Sequence, residues 1–497
     1  MSRPRIQHAQ RDQTAIRFLA LDEMLPPDHV ARTVWQFALH IDLTPLYDRI
    51  KAVVGHPSKP SIDPRILFAL WLYATLDGVG SARELDRLCA DHMAYLWLCG
   101  EVSVNYHTLA DFRVQHGNWL NELLSESIAT LRHQNLVTLN HVALDGMKVR
   151  ASAGAASFRR QPTLHERLTE AQEQVAALSQ QLEDGNAAVS QRQEAARQRA
   201  AQEKVECVQK ALAQMPALRA SREAFKKGTG DQARASTTDP EARIMKMGDN
   251  GFRPAYNAQF ATDVDSGLIV DVEVVSQGTD NGLLLPCADR IAQRYGVSPE
   301  AMLADAGFQS VEDIDQLATE HHTRTFMPVK NANKLRDQGK NPFEPKKGDS
   351  VAVGQWRQRM GEPESQELYK RRASSAEWVN AGCRNRGWYQ VRVRGVSKVR
   401  CCALWQALAH NLMTVVRWVT VHGEWRSRER KVESGGGPRQ GRREGFGGRI
   451  EGRSIRRHKP DALFDKRRSP PPRTTSPIRS QPLTCPAGIA TGNTERE

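Results

Sequence analysis

The stretch AYNAQFATDVDSGLIVDVEVVSQ, residues 255–277, marks a change of period in this chain. Apolar residues alternate with polar or small ones on both sides of DVDSG, and a turn rich in Asp, Ser and Gly separates the two runs. That pattern predicts two strands joined as a β-hairpin. Downstream, DNGLLLPCADRIAQRYG (280–296) reads as an amphipathic helix stopped by Gly296, and AMLADAGF (301–308) as a short buried strand ending at Asp305. SVEDIDQLATEH (310–321) reads as a helix and TRTFMPVK (323–330) as a further strand. Strands alternating with helices predict a mixed α/β sheet.

Upstream of the hairpin, HVALDGMKVRAS (141–152) reads as another strand, with one carboxylate, Asp145, in apolar surroundings. A buried carboxylate is costly unless it is paired or holds a metal. Between the two, Leu164, Leu168, Ala171, Val175, Leu178 and Leu182 step by four and three, a heptad seam. EDGN (183–186) breaks it, and Val205, Val208, Leu212 and Met215 resume it. This predicts a helical hairpin over 161–216 that folds back on itself; an intermolecular coiled coil is the alternative.

The first part of the chain has a different character. Asp28 after a Pro pair is a candidate cap for one helix, Pro64 opens a second, and Ser81 with Glu84 forms a capping box for a third. NYHTLADFRVQHGNWLNELLSESIATLRHQ (105–134) reads as one further helix. The expectation is a helical domain of three to five helices, in which Arg83, Arg87, Arg113 and His116 either face DNA phosphates or are simply solvated. Residues 331–368 are polar and rich in Gly and Pro, and read as a loop or small subdomain. Helices are expected again at about 369–386 and 396–418.

The chain has 497 residues and a formal net charge of +13. Residues 421–497 hold 18 Lys and Arg against 9 Asp and Glu, so +9 of that charge lies in the tail. Its Arg, Gly, Ser and Pro content predicts disorder. The body is only mildly basic, so the overall charge is weak support for a nucleic-acid partner. Eight scattered cysteines without a Cys-x-x-Cys pair read as reduced thiols of a cytoplasmic protein. The N-terminus lacks the apolar core of a secretory signal, and ILFALWLYA (66–74) is about half of a bilayer span, so no membrane is expected. His410 and Asn411 lie on an apolar helix and read as core packing, and His321 and His322 as a solvated turn. No phosphate-binding P-loop, Gly-x-Ser-x-Gly elbow or His-Glu-x-x-His pair is present.

Three acids then stand out by setting: Asp145 within one strand, Asp305 at the end of another, and Glu377 in a helix within YKRRASSAEWVNAGCRNRG (369–387). Two strand-borne aspartates and a helix-borne glutamate can converge at one sheet edge and bind Mg²⁺. Two such ions, about 3.5–4 Å apart, support in-line phosphoryl transfer. Each acid also has a plain reading: an Asp before a Gly or Ala-Gly is often a turn residue, and a helical Glu is usually solvated.

The chain resembles the DDE transposases of bacterial insertion sequences, of the type with an InsH-like N-terminal domain, over about residues 15–420. The resemblance is carried by IDPRILFALWLYATLDGVGSARELDRLCADHMAYLWLCG (62–100) with NYHTLADFR, by HVALDGMKVRASA, by GFRPAYNAQFATDVDSGLIVDVEVVSQGTDNGLLLP, by LADAGFQS and by RGVSKVRCCALWQALAHNLMTVV. Tyr369, Arg372, Glu377 and Arg384 are similar to the Tyr–Arg–Glu–Lys signature around the third acid. The resemblance implies an α/β RNase H-like catalytic core (138–420), interrupted by the 161–216 hairpin. It implies a helical N-terminal domain (15–135) for DNA binding and assembly, followed by the basic tail (421–497). It implies catalysis by Asp145, Asp305 and Glu377, which would hold two Mg²⁺ ions, replaceable by Mn²⁺. Arg372, Arg384, Tyr369 and Lys148 would contact DNA or its phosphates. Glu377 and Arg384, seven residues apart, share a helical face. The implied activity is cleavage of terminal inverted repeats and transfer of the freed 3′-hydroxyl into target DNA. A homodimer in the DNA complex and a cytoplasmic, nucleoid-associated location go with it. The rival expectations are a decayed copy that only binds the repeats as a repressor, and a structure-specific nuclease.

Overall fold

The computed structural model describes residues 20–52, 60–183 and 191–434, and the described residues up to Arg430 cluster as one compact unit. After a 3₁₀ turn at Leu21–Met24, helices α1 (Val30–His40) and α2 (Thr44–Tyr47) precede α3 (Pro64–Leu76), α4 (Ala82–Asp91) and α5 (Met93–Cys99). The caps are local. The Asp63 side chain accepts from Arg65 N at 2.8 Å with Pro64 at the first helical position, and Ser81 Oγ accepts from Glu84 N at 3.4 Å. At α1 the cap is His29, whose Nδ1 accepts from Ala31 N at 3.1 Å, and Asp28 does not serve. The stretch expected as one helix over 105–134 is two, α6 (Tyr106–Gln115) and α7 (Gly117–His133), because His116 leaves the helical region at φ −113°, ψ 33°.

Strand β1 (His141–Arg150) follows. A short ladder of β2 (Phe158–Arg159) with β3 (Ala235–Ser236) brackets α8 (Gln161–Glu183) and α9 (Gln191–Phe225). These helices run antiparallel: Lys204 Nζ donates to Gln174 Oε1 at 3.3 Å, and Arg219 Nη1 to Gln161 Oε1 at 3.0 Å. Leu164, Val208, Ala211 and Met215 form a separate small core with Ala233 and Ala235. Helix α9 passes Pro216 and ends nine residues later than the seam predicts. The expected break at EDGN falls largely on 184–190, outside the described residues.

The main sheet is completed by β4 (Arg243–Lys246), β5 (Phe252–Asp263), β6 (Ile269–Val275), β7 (Ala301–Leu303) and β8 (Arg324–Phe326). Its order is β4-β5-β1-β7-β8, with β6 also paired to β5. β5 runs antiparallel to β1, β4 and β6, whereas β1, β7 and β8 are parallel. The predicted β5–β6 hairpin forms, turning where Asp263 Oδ2 accepts from Ser266 N at 2.9 Å and Gly267 adopts φ +73°. α10 (Leu284–Tyr295) leads from β6 into β7, and α11 (Val311–Glu320) joins β7 to β8, as the alternating pattern implies.

Residues 331–368, expected as a loop or small subdomain, contain α12 (Ala332–Asp337), α13 (Val351–Gly361) and most of α14 (Pro363–Arg372). Val353, Trp356 and Met360 of α13 are buried at helical spacing beneath polar neighbours, and Trp356 Nε1 donates to Met327 O at 3.2 Å. A π-helical turn, Ala373–Glu377, joins α14 to α15 (Trp378–Asn385). The last helix, α16 (Val396–Ser434), continues past the expected start of the tail at 421, and 435–497 lie outside the described residues.

One core joins the N-terminal helices to the sheet and to α16. Phe68 packs against Trp119 and Trp405, with ring centroids 5.5 and 5.3 Å away, and Trp405 Nε1 donates to Arg113 O at 3.0 Å. His410 and Asn411 hold the hairpin to α16. Asn411 bonds both backbone groups of Ile269 at 2.8 Å, and burial pushes the His410 imidazole down to about 4. His321 is not solvated: its ring sits 2.9 Å from Ser298 Oγ and 2.8 Å from Asp289 Oδ1. The seven described cysteines are free, and no described helix is long and apolar enough to cross a membrane.

Candidate active site

Asp145 lies in the middle of β1, not at a turn, and Gly146 continues the strand. In the parallel pairing of β1 with β7, Ala143 stands opposite Leu303. Two residues further on, Asp145, still in β1, therefore stands near Asp305, just beyond the end of β7. Asp305 caps the 3₁₀ turn Ala306–Phe308, its Oδ1 accepting from Gly307 N at 2.7 Å.

The third acid arrives on the α14–α15 segment, whose π-helical turn packs against β1 and β5. Arg372, 9% exposed, reaches from the end of α14 to both remaining carboxylates. Its Nη1 lies 3.4 Å from Asp145 Oδ2, and its Nη2 donates to Glu377 Oε1 at 2.9 Å. The Arg372 guanidinium also lies 6.0 Å from the centre of the Tyr369 ring. Asn380 Nδ2 donates to Asp145 Oδ2 at 2.9 Å, and Gly146 N to Asp145 Oδ1 at 3.0 Å. Burial pushes the Asp145 carboxyl up to about 6; Arg372 opposes this and the Asp305 charge adds to it.

Residues 227–412 match the transposase DDE domain, and residues 19–115 match the transposase domain DUF772. The chain belongs to the DDE transposases. No curated protein and no solved structure matches it. The matched DDE span holds Asp305 and Glu377; Asp145 lies upstream of it, on the far side of α8 and α9 in sequence.

DDE transposases use divalent metal ions. In this transposase Asp145 and Asp305 fit such an ion: two hard carboxylates stand close together, and the Asp305 charge raises the cost of ionising Asp145. Glu377 does not join them. Its side chain is 53% exposed and tied to Arg372, and among the described residues no three acidic, His or Cys side chains gather closely enough to hold an ion.

The other residues singled out in the sequence are dispersed. Lys148 is half-buried on β1 opposite Asn257, on the face of Gly146 rather than that of Asp145, and has no hydrogen bond or ion pair among the described residues. Arg384 is exposed on α15, two turns beyond Glu377. Arg113 is used internally, bonding Gly80 O and stacking 4.8 Å from the Trp71 ring, and His116 faces Arg49. Arg83 and Arg87 stay exposed on α4.

Sequence reasoning missed Asn380, which is three residues after Glu377 and so one turn further on; that spacing was a signal. It also missed Asp280, in the loop before α10. Asp280 Oδ1 accepts from Asn257 Nδ2 at 2.7 Å and from Gln259 Nε2 at 2.8 Å, both from β5. The signal for Asn257 and Gln259 was a pair of amides at alternate positions of a strand that is otherwise apolar on both faces.

Proposed function

We propose that this transposase cleaves DNA at the terminal inverted repeats of its own element and joins the freed 3′-hydroxyl to target DNA. Asp145, Asp305 and Glu377 are its catalytic acids and Mg²⁺ its metal, held as two ions that Mn²⁺ can replace. The observation that carries this reading is that Asp145 on β1 stands near Asp305, just past the end of the neighbouring parallel strand β7, in a DDE chain, with the Asp305 charge acting on the Asp145 carboxyl. The sheet order β6-β5-β1-β7-β8, with only β5 reversed within β5-β1-β7-β8, supports an RNase H-like core.

Bound Mg²⁺ would neutralise phosphate charge and lower the pKa of the attacking water or hydroxyl. The chain's own residues orient that site. Asn380 and the Gly146 amide fix the Asp145 carboxylate in rotation, while Asp305 is held by the Gly307 amide. Arg372 offers a planar guanidinium suited to bidentate phosphate contact once Glu377 turns toward the metals. Tyr369 backs that guanidinium, and burial raises its phenol, so it stays a neutral hydrogen-bond donor. Lys148 and Arg384 are available cations for the DNA backbone. We place the protein in the cytoplasm, on the nucleoid, acting on DNA as a homodimer.

The test is a cleavage and joining assay with DNA from the flanks of the reading frame, in Mg²⁺. Wild type should cut and join; Asp145→Asn and Asp305→Asn should lose roughly three orders of magnitude in rate while still binding the DNA, because metal charge stabilisation amounts to several kcal/mol. Binding without any cutting by wild type would favour a repressor, and cutting without joining a nuclease.

A further inference from the structure

We propose that Asp280, which packs on the Gly146 face of β1 at the edge of this site, is a further metal ligand, whose free oxygen, Oδ2, holds a divalent cation together with Asp305. The proposal rests on the metal-dependent reading above and extends it to a residue outside the three acids. It starts from the way Asp280 is held. Both amide donors, Asn257 and Gln259, bind the same oxygen, Oδ1, and leave Oδ2 without a hydrogen-bond partner among the described residues. Two N–H groups on one oxygen fix the carboxylate's rotation and aim the other oxygen.

That oxygen and Asp305 border one small space. A Cβ built on Gly307 would lie 2.8 Å from Asp305 Oδ1 and 3.7 Å from Asp280 Oδ2, so the two carboxylates flank the same bare glycine. A second glycine makes room on the other side. A Cβ on Gly146 would meet Asp280 Oδ1 and Gln259 Nε2 at 2.5 Å and Asn257 Oδ1 at 2.9 Å. Any side chain at 146, next to Asp145 in the chain, would push Asp280 out of place.

An independent observation points to a missing partner. Asn257 is fully buried and Gln259 is 3% exposed, yet Asn257 Oδ1 and Gln259 Oε1 have no hydrogen-bond donor among the described residues. Their amide groups cannot be reversed, since the nitrogens are committed to Asp280. Buried carbonyl oxygens are rarely left unpaired. Carboxylate and amide oxygens together, with no nitrogen or sulfur, make a donor set for a hard cation and its waters. Lys148, the cross-strand neighbour of Asn257, stands on the same face, and Asp280 forms no ion pair with it among the described residues.

Asp280→Asn isolates the role. Its carbonyl can still accept from Asn257 and Gln259, and only Oδ2 is exchanged for an NH₂ group. Mn²⁺ binding to the full chain, followed by titration calorimetry with and without flank DNA, should weaken by about tenfold or more, or lose one ion of two. Thermal melting in EDTA should match wild type, which separates ligand loss from misfolding; Asp280→Ser serves if the amide variant does not fold. Wild-type Mn²⁺ affinity and stoichiometry in Asp280→Asn, alongside their loss in Asp305→Asn, would overturn this inference alone. A wild type that binds no Mn²⁺ even with DNA would remove the metal-dependent reading and this inference with it.

Discussion

Arg372 and Glu377 are five residues apart and share a 2.9 Å hydrogen bond, a pairing that the π-helical turn between them permits. In an α-helix, residues five apart point well away from one another, because one turn takes 3.6 residues. The wider turn brings the fifth residue round to the same side, and π-turns of this kind are frequent at functional sites. It lets one guanidinium serve Asp145 on the sheet and Glu377 on the helix.

Removing that guanidinium leaves a buried carboxylate without its counter-charge. Arg372→Ala should cost about 3–5 kcal/mol in urea unfolding at pH 7.5. Asp145→Asn should restore part of that loss in the double variant, because the stranded charge goes with it. Additive losses would show that Arg372 stabilises by packing alone.

Asp145 itself is held in a state that opposes its ionisation. Its carboxyl lies near 6 against an ordinary 3.8, so the folded chain binds this proton more tightly than the unfolded chain does. Stability from this group is therefore lost as pH rises from about 4 to about 6. The loss is on the order of 3 kcal/mol at 1.4 kcal/mol per unit. Asp145→Asn in EDTA should then be more stable than wild type at pH 7.5, and the gap should close by pH 4. An equal gap at both pH values, read by urea melts, would count against this account.

Gly146→Ala inserts a methyl group where Asp280, Gln259 and Asn257 already stand. About 1–3 kcal/mol of stability should be lost. Cleavage should fall further than the same loss of stability produces in a distant core variant, because Asp145 is the adjoining residue. A variant as stable and active as wild type would refute the close approach.

Asp271 is a structural acid by contrast. It is 1% exposed and paired to Arg290 at 2.7 Å and Arg294 at 2.9 Å. Although burial opposes its ionisation, the two arginines hold its carboxyl below the ordinary value. Its contribution is present at neutral pH and is lost as pH falls through that depressed value. Asp271→Asn should cost about 3–5 kcal/mol at pH 7 by leaving two arginines without a partner. Its effect should shrink in acid, the reverse of the trend at Asp145→Asn, where acid removes a stabilisation; calorimetric melts across pH separate the two.

Trp405→Ala tests whether the N-terminal helices depend on α16. The side chain fills the gap between Phe68, Phe112 and the Arg113 carbonyl. A loss of about 3–5 kcal/mol is expected, in a single transition that includes the N-terminal helices. Separate unfolding of 20–133, seen by proteolysis or a biphasic melt, would show two independent cores.

Much of this was legible in the sequence because it is local. Period-two alternation and the DVDSG turn located β5 and β6, and Gly296 located the end of α10. Ser81 and Pro64 placed the starts of two helices. In residues 331–368 the choice between a loop and a small subdomain stayed open in the sequence, because the polar face of α13 outnumbers the three apolar residues it buries. The 105–134 helix was read as continuous because one dihedral change at His116 leaves no mark on the apolar pattern.

The sequence by itself determined the longer strands and most of the helices, that Asp145 sits on a strand and Asp305 at the end of another, and that the chain resembles the DDE transposases. Those are properties of short windows, set by side-chain period and capping. Only the tertiary structure decided that β1 and β7 pair in the register that levels the two aspartates, that Arg372 bridges Asp145 and Glu377, and that Asp280 is held by two amides from β5. The physical reason is that these contacts join residues tens to hundreds apart. Their geometry follows from strand order and register, which no local periodicity encodes.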